Sequence, residues 1–151
     1  MNGSKETICK EFQRLSIKRL SPSATLPTRA HDDDAGLDLY LSEDLIVGPG
    51  QGAMASTGVA MAIEKGFVGM IADRSSLGKK GLKTAGGIID AGYRGEIKVI
   101  VRNLTVEEMR FQKGERIAQL LILPIATPKV EEVNDLDQTK RGSGGFGSTG
   151  A

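Results

Sequence analysis

"GGIIDAGYRGEIKVIV" runs from Gly86 to Val101. Its two arms, "GGIID" and "GEIKVIV", are β-like, the second rich in β-branched residues, and they flank a tight turn around Ala91 and Gly92. That arrangement predicts a β-hairpin with its tip at Asp90 to Gly95. Working outward, the same short, punctuated pattern repeats. "LSIKRL" (Leu15–Leu20) and "LDLYL" (Leu37–Leu41) alternate apolar and polar residues, as half-buried strands do. "LIV" meets the turn "GPG" at Gly48 to Gly50, and "MASTGVAMAI" and "FVGMIA" are parted by the charged turn "EKG". "IAQLLIL" (Ile117–Leu123) is a continuous apolar run between Gly114 and Pro124, which favours a buried strand. Many short strands with regular turns predict an all-β sandwich or barrel. One stretch departs from the pattern: "RSSLGKKG" (Arg74–Gly81) predicts a short helix with a serine cap, ended by glycine.

Composition sets the bounds. A chain of 151 residues suits one domain that buries its core without staples. Aromatics are 4% and tryptophan is absent, so the core must be aliphatic. A net charge of +1 argues against a broad nucleic-acid footprint but leaves room for a small phosphate site. No apolar run is long enough to span a bilayer, and the first dozen residues lack the apolar segment of a secretory signal. Cys9 is the single cysteine, so an intrachain disulfide is excluded and a reducing compartment suits the chain. The expected location is the cytoplasm, with an organelle or the nucleus left open. Three segments are expected: a flexible leader at 1–12, a β-domain at 13–130, and an arm at 131–151 that loses its apolar period and ends in "RGSGGFGSTG".

Several stretches carry groups capable of chemistry. Asp90 stands at the mouth of the predicted hairpin, where a carboxylate can take a proton from water. Tyr93 offers a ring to pack against a sugar, and Gly86 and Gly87 leave the backbone open to a flat ligand. A turn aspartate and a strand tyrosine are the simpler reading of these two residues alone. Arg74 supplies a charged fork, with Ser75 and Ser76 at the helix start, which suits an anion; a capped surface helix with a solvated arginine is the alternative. Asp38 sits on the face opposite Leu37 and Leu39, as either a solvent-facing residue or a partner for a hydrated metal. His31 is the only histidine, which excludes a multi-histidine metal cluster. Gln119 places an amide inside an apolar strand, where it needs partners or faces a site. The glycine-rich tail lacks the spacing of a Walker loop. Its amides, with Arg141, Ser148 and Thr149, can still wrap a polyphosphate, and Phe146 can stack on a base.

Taken in order, "AGLDLY", "DRSSLG", "GGIIDAGYRGE", "GERIAQ" and "RGSGGFGSTG" resemble the five motifs of the homotrimeric dUTPase family, deoxyuridine triphosphate nucleotidohydrolases. The resemblance runs from about Leu15 to the end. It implies a jelly-roll-like β-barrel whose trimer has three sites, each built from three chains, with the C-terminal arm exchanged to a neighbour. It implies that dUTP is hydrolysed to dUMP and pyrophosphate with Mg2+ as cofactor, limiting uracil in DNA and supplying dUMP for dTMP synthesis. By the same resemblance, Asp90 activates the attacking water and Tyr93 lies under the deoxyribose. The stretch from Thr84 to Ile89, including Gly87 and Ile88, reads the uracil edge. Arg74, Ser75, Ser76 and Gln119 lie at the phosphates, and Asp38 supports the hydrated magnesium through water. In the tail, Arg141, Gly147, Ser148 and Thr149 hold the γ-phosphate and Phe146 covers the base. Two positions depart from many relatives: Ser76 stands in place of glycine and Thr84 in place of asparagine. The rival readings are a dCTP deaminase of the same superfamily and a non-catalytic jelly-roll module that binds nucleotides. No nucleic-acid or membrane partner is expected.

Overall fold

A computed structural model describes residues 14–144. Ten strands and one short helix follow in chain order: β1 (Ser16–Arg19), β2 (Leu37–Tyr40), β3 (Leu45–Val47), β4 (Gly52–Ala62), β5 (Phe67–Ala72), α1 (Ser75–Gly78), β6 (Leu82–Ala85), β7 (Ile88–Ile89), β8 (Glu96–Asn103), β9 (Met109–Phe111) and β10 (Arg116–Pro124). The strands form two four-stranded sheets, ordered β1-β4-β8-β6 and β2-β10-β5-β7, and a small β3-β9 pair. Every pairing is antiparallel. The sheets enclose one aliphatic core in a jelly-roll-like barrel, as the composition requires.

β8 shows why the sequence takes this form. Ile97, Val99 and Val101 are buried, while Lys98, Ile100 and Arg102 point outward. Each buried valine or isoleucine removes apolar surface worth about 1.5–3 kcal/mol from water. A slip of one residue would exchange the two faces, so the pattern also fixes the register. β4 pairs with β8 in register from Gly52–Arg102 to Ser56–Lys98, then shifts before Ala60. The continuous apolar run of β10 is explained by its place inside its sheet, between β2 and β5. Asn103, fully buried at the end of β8, donates through Nδ2 to the Val47 and Glu107 carbonyls. Its Oδ1 accepts from the Thr105 amide and hydroxyl, so no hydrogen-bonding group of that side chain is left empty.

The predicted hairpin is not a hairpin. β7 pairs with β5 and β8 pairs with β4 and β6, so the two arms of "GGIIDAGYRGEIKVIV" belong to different sheets. The turn is present, closed by the Tyr93 amide donating to the Asp90 carbonyl at 3.0 Å. Local pattern reports two strands and a turn; which partners those strands choose is a tertiary matter. The expected serine cap also fails. α1 has Arg74 at its N-cap, with no side-chain capping bond, and consists of a single turn. After β10, residues 125–144 form no strand or helix, and all but Gly144 are exposed. The expected leader at 1–12 and the tail residues Phe146, Gly147, Ser148 and Thr149 lie outside the described residues.

Candidate active site

The site residues fall into two groups, at opposite ends of β5. At its start, Gly69 pairs with Ile89 and Met70 with Ile88, and the chain then turns out of the sheet at Asp90. Asp90 is exposed there. Beside it, a shallow cleft of about 240 Å³ is walled by Tyr93, Ile88, Ile100 and the Glu96–Lys98 pair. The Tyr93 hydroxyl donates to the Glu96 carbonyl at 3.0 Å, which pins the ring across the turn. Glycine at position 95 makes that possible, because a Cβ there would lie 2.4 Å from the tyrosine oxygen. Gly87, at φ +97°, crosses β5 so closely that a Cβ would meet the Ile71 carbonyl oxygen at 3.0 Å, and its own carbonyl accepts the Ile71 amide at 2.8 Å. With Gly86, at φ +67°, it carries the crossing from sheet to sheet.

At the far end of β5 lie the groups suited to anions. The β2-β10 register sets Asp38 opposite Gln119, and the β10-β5 register sets Gln119 opposite Ala72. Arg74 Nε donates to Asp38 Oδ1 at 2.9 Å, and Arg116 Nη1 donates to Asp38 Oδ2 at 3.0 Å. Arg74 Nη1 also reaches the Arg116 carbonyl at 3.3 Å. Asp38 therefore aims two guanidiniums along one edge. Ser75 and Ser76 are exposed beside them, on the first turn of α1, whose leading amides have no partner within the helix. Gln119 Nε2 donates to the Asp73 carbonyl at 2.8 Å, so its amide is held by backbone at the edge of this group.

Asp73 and Arg116 were not singled out in the sequence, and both turn out to be central. The Asp73 carboxylate accepts the Thr84 amide and the Thr84 hydroxyl, each at 2.7 Å, and pairs with Lys83. Partial burial pushes this carboxyl up, but the hydrogen bonds from Lys83 and Thr84 and the lysine charge outweigh it, so the group lies below its ordinary value. The Thr84 amide and hydroxyl are both engaged by Asp73. The charge beside Arg74 was a signal for Asp73, whereas Arg116 is brought near Asp38 by the β2-β10 pairing, which local sequence does not show. Arg141 is not brought to either group. Its Nε donates to the Gly144 carbonyl at 3.0 Å within its own tail.

The fit to a metal is specific. Among the described residues no three His, Cys, Asp or Glu side chains stand together to cage an ion. Asp38 has both oxygens engaged by arginines, yet a carboxylate retains further lone pairs that can accept from water. The donor set fits a hydrated ion held through water, and not one bound directly by the protein.

The dUTPase family model matches residues 22–150. Deoxyuridine 5'-triphosphate nucleotidohydrolase of Mycolicibacterium gilvum is 48% identical over 145 residues, covering 90% of this chain and 94% of that protein. The enzyme of Clostridium tetani is 45% identical over 139 residues, covering 90% and 96%. Among solved structures, the dUTPase of Staphylococcus bacteriophage 80alpha with dUpNHpp superposes at a TM-score of 0.88 with 33% identity, covering 92% of this chain and 99% of that one. A variant dUTPase from phage phi11 of S. aureus, whose structure details the coordination of a structural Mg(II) ion, gives 0.76 at 30% identity, covering 81% and 97%. The chain belongs to the dUTPase family. No helix among its described residues is long and apolar enough to cross a membrane.

Proposed function

We propose that this enzyme, a dUTP diphosphatase, converts dUTP and water to dUMP and pyrophosphate by in-line attack on the α-phosphorus. The observation that carries the reading is the exposed Asp90 at the mouth of the cleft that Tyr93 walls. The Asp90 carboxylate accepts a proton from water as its oxygen bonds to the α-phosphorus. The bond from that phosphorus to the bridging oxygen breaks, and pyrophosphate leaves. Tyr93 packs against the deoxyribose and leaves no room for a 2′-hydroxyl. The backbone between Thr84 and Ile89 reads the uracil edge. Arg74, with Ser75, Ser76 and Gln119, holds phosphate oxygens, and its guanidinium is already fixed by Asp38. A magnesium ion, held by the triphosphate and through water by Asp38, would offset phosphate charge.

The site is shared between copies of the chain. Asp90 and Arg74 leave opposite ends of β5, a separation on the order of 15–20 Å at about 3.3 Å per residue. The two groups serve phosphates that are neighbours in one substrate, so Asp90 of one chain works with Arg74 of another. A homotrimer with three such sites satisfies this, with Arg141, Phe146, Gly147, Ser148 and Thr149 of an exchanged tail closing over the triphosphate and base. The cellular role that follows is to limit uracil in DNA and to supply dUMP for dTMP synthesis, in the cytoplasm.

The test is a panel of dUTP, UTP, dCTP and dTTP in Mg2+ with product identification. Pyrophosphate and dUMP from dUTP alone is the expected result. Ammonia from dCTP would establish the deaminase instead, and binding without turnover would establish a nucleotide-binding module.

A further inference from the structure

The segment from Thr84 to Ile89 is where the chain leaves one sheet and joins the other. Thr84 and Ala85 pair with Val101 and Ile100 of β8, while Ile88 and Ile89 pair with Met70 and Gly69 of β5. Two glycines at positive φ, Gly86 and Gly87, lie between them. The ends of this crossing are anchored by these pairings, and its middle by a single bond from the Ile71 amide to the Gly87 carbonyl. Its position depends on how the two sheets are held together at that rim.

One side chain makes the connection by direct hydrogen bonds. Asp73 follows the last residue of β5, in the second sheet, and its Oδ1 accepts both the amide and the hydroxyl of Thr84 on β6, in the first sheet. The same residue's carbonyl accepts Gln119 Nε2 from β10. Lys83, the neighbour of Thr84, pairs with the other carboxylate oxygen. Three chain segments meet on one aspartate, which stands directly before Arg74 and touches neither the cleft nor the arginine fork.

We infer that Asp73 is a positioning residue for base selection, a strut whose Oδ1–Thr84 bonds set the register of the sheet-to-sheet crossing that reads the base. The inference rests on the proposed function, because it takes the Thr84–Ile89 backbone as the base-reading edge. A site that selects a base by fixed donors and acceptors rejects the wrong one through unpaired polar groups. That rejection requires the edge to stay in place. With Asp73 removed, β6 remains paired to β8 and Ile89 to Gly69, so the barrel persists. The crossing keeps its Gly87–Ile71 bond but loses the tie at its Thr84 end, and the edge adapts to other bases.

The test compares full-length wild type, Asp73→Ala, Thr84→Val and Lys83→Met at a temperature where all are folded. Two ratios are read: kcat/KM for dUTP over dCTP, and the calorimetric Kd ratio for non-hydrolysable analogues of the same two nucleotides. Hydrogen bonds to a charged acceptor are strong enough that Asp73→Ala should reduce both ratios about tenfold and Thr84→Val about threefold. Lys83→Met, which keeps both Thr84 bonds, should hold the wild-type ratios. A purely structural role would lower the melting temperature and leave the ratios unchanged. Unchanged ratios in Thr84→Val overturn the strut, and this variant decides alone if Asp73→Ala does not fold. A loss in Lys83→Met equal to that in Asp73→Ala also overturns it, by assigning the effect to charge. A wild type that prefers the uracil analogue without hydrolysing dUTP defeats the proposed reaction and not the strut, since the Kd ratio still reports on it.

Discussion

Arg74 and Asp38 are joined across the barrel rim by a 2.9 Å bond from Nε to Oδ1, with the arginine side chain 22% exposed and the aspartate 15%. Bonding through Nε orients the guanidinium, and with Nη1 turned to the Arg116 carbonyl it leaves Nη2 for a ligand. Arg116 holds the other carboxylate oxygen from a more exposed position, so Asp38 is steadied from both sides. Asp38→Asn weakens both bonds at once. The expected outcome is a rise of about tenfold in the KM for dUTP with a smaller change in kcat, because a mobile Arg74 grips phosphate less well. The Mg2+ concentration needed for half-maximal activity should rise as well. Arg116→Gln should raise KM less, and the double variant should cost less than the sum of the singles, since the residues share one carboxylate. Steady-state kinetics across a Mg2+ series checks all three.

Asp90→Asn preserves the size of the side chain at the cleft mouth and removes its capacity to take a proton. A carboxamide can still hold water, so nucleotide affinity should stay within a few-fold. Turnover should fall by about 10²–10⁴, the range of a positioned general base. A pyrophosphate-release assay alongside calorimetry with a non-hydrolysable dUTP analogue separates the two quantities. Near-normal turnover would remove Asp90 from the chemistry.

Much of this layout was legible before any coordinates. The alternation of β8 and the apolar run of β10 follow from burial, and burial is written residue by residue. The motifs located Asp38, Arg74, Asp90 and Gln119 because each breaks a local pattern: a charge in a strand, a fork beside serines, an acid at a turn, an amide among leucines. What the sequence did not show was partnership. The arms around Asp90 read as a hairpin because local pattern has no access to the sheet each strand joins. Asp73 passed unnoticed for the same reason: its value lies in reaching Thr84, eleven residues away and in the other sheet. The separation of Arg74 and Asp90 also needed register, since the β5 pairings set them at opposite ends of that strand.

Asp73 also gives the fold an acid-sensitive joint. Its carboxyl is held below the ordinary value of 3.8 by Lys83 and Thr84 in spite of partial burial. A carboxylate with a depressed folded value stabilises the native state fully above its unfolded value. It loses that contribution as pH falls through the folded one. Wild type should therefore lose stability on acidification below about pH 4 more steeply than Asp73→Asn, which carries no such titration. At neutral pH wild type should be the more stable, with the two proteins converging in acid as the carboxyl is protonated. Urea unfolding followed at several pH values between neutrality and the acid limit tests the convergence, and parallel curves for the two proteins would refute it.

The tail separates stability from activity. From Ile125 onward the described chain forms no strand or helix, and its residues up to Ser143 are exposed. Among the described residues Arg141 bonds to Gly144 nearby, and no buried core residue belongs to this stretch. Deleting Arg141 to Ala151 is therefore expected to leave the barrel folded. The melting temperature should shift by little, and the oligomer should persist in analytical ultracentrifugation. Activity should fall sharply, because the deleted segment carries the arginine, aromatic and hydroxyl groups proposed to close over the triphosphate and base. Mixing the truncated chain with Asp90→Asn chains sharpens the test. If the tail serves a neighbour's site, mixed oligomers regain turnover at sites where an intact Asp90 meets an intact tail from another subunit. If each tail served its own chain's Asp90, no combination of these two variants would restore a complete site, and the mixture would stay inactive.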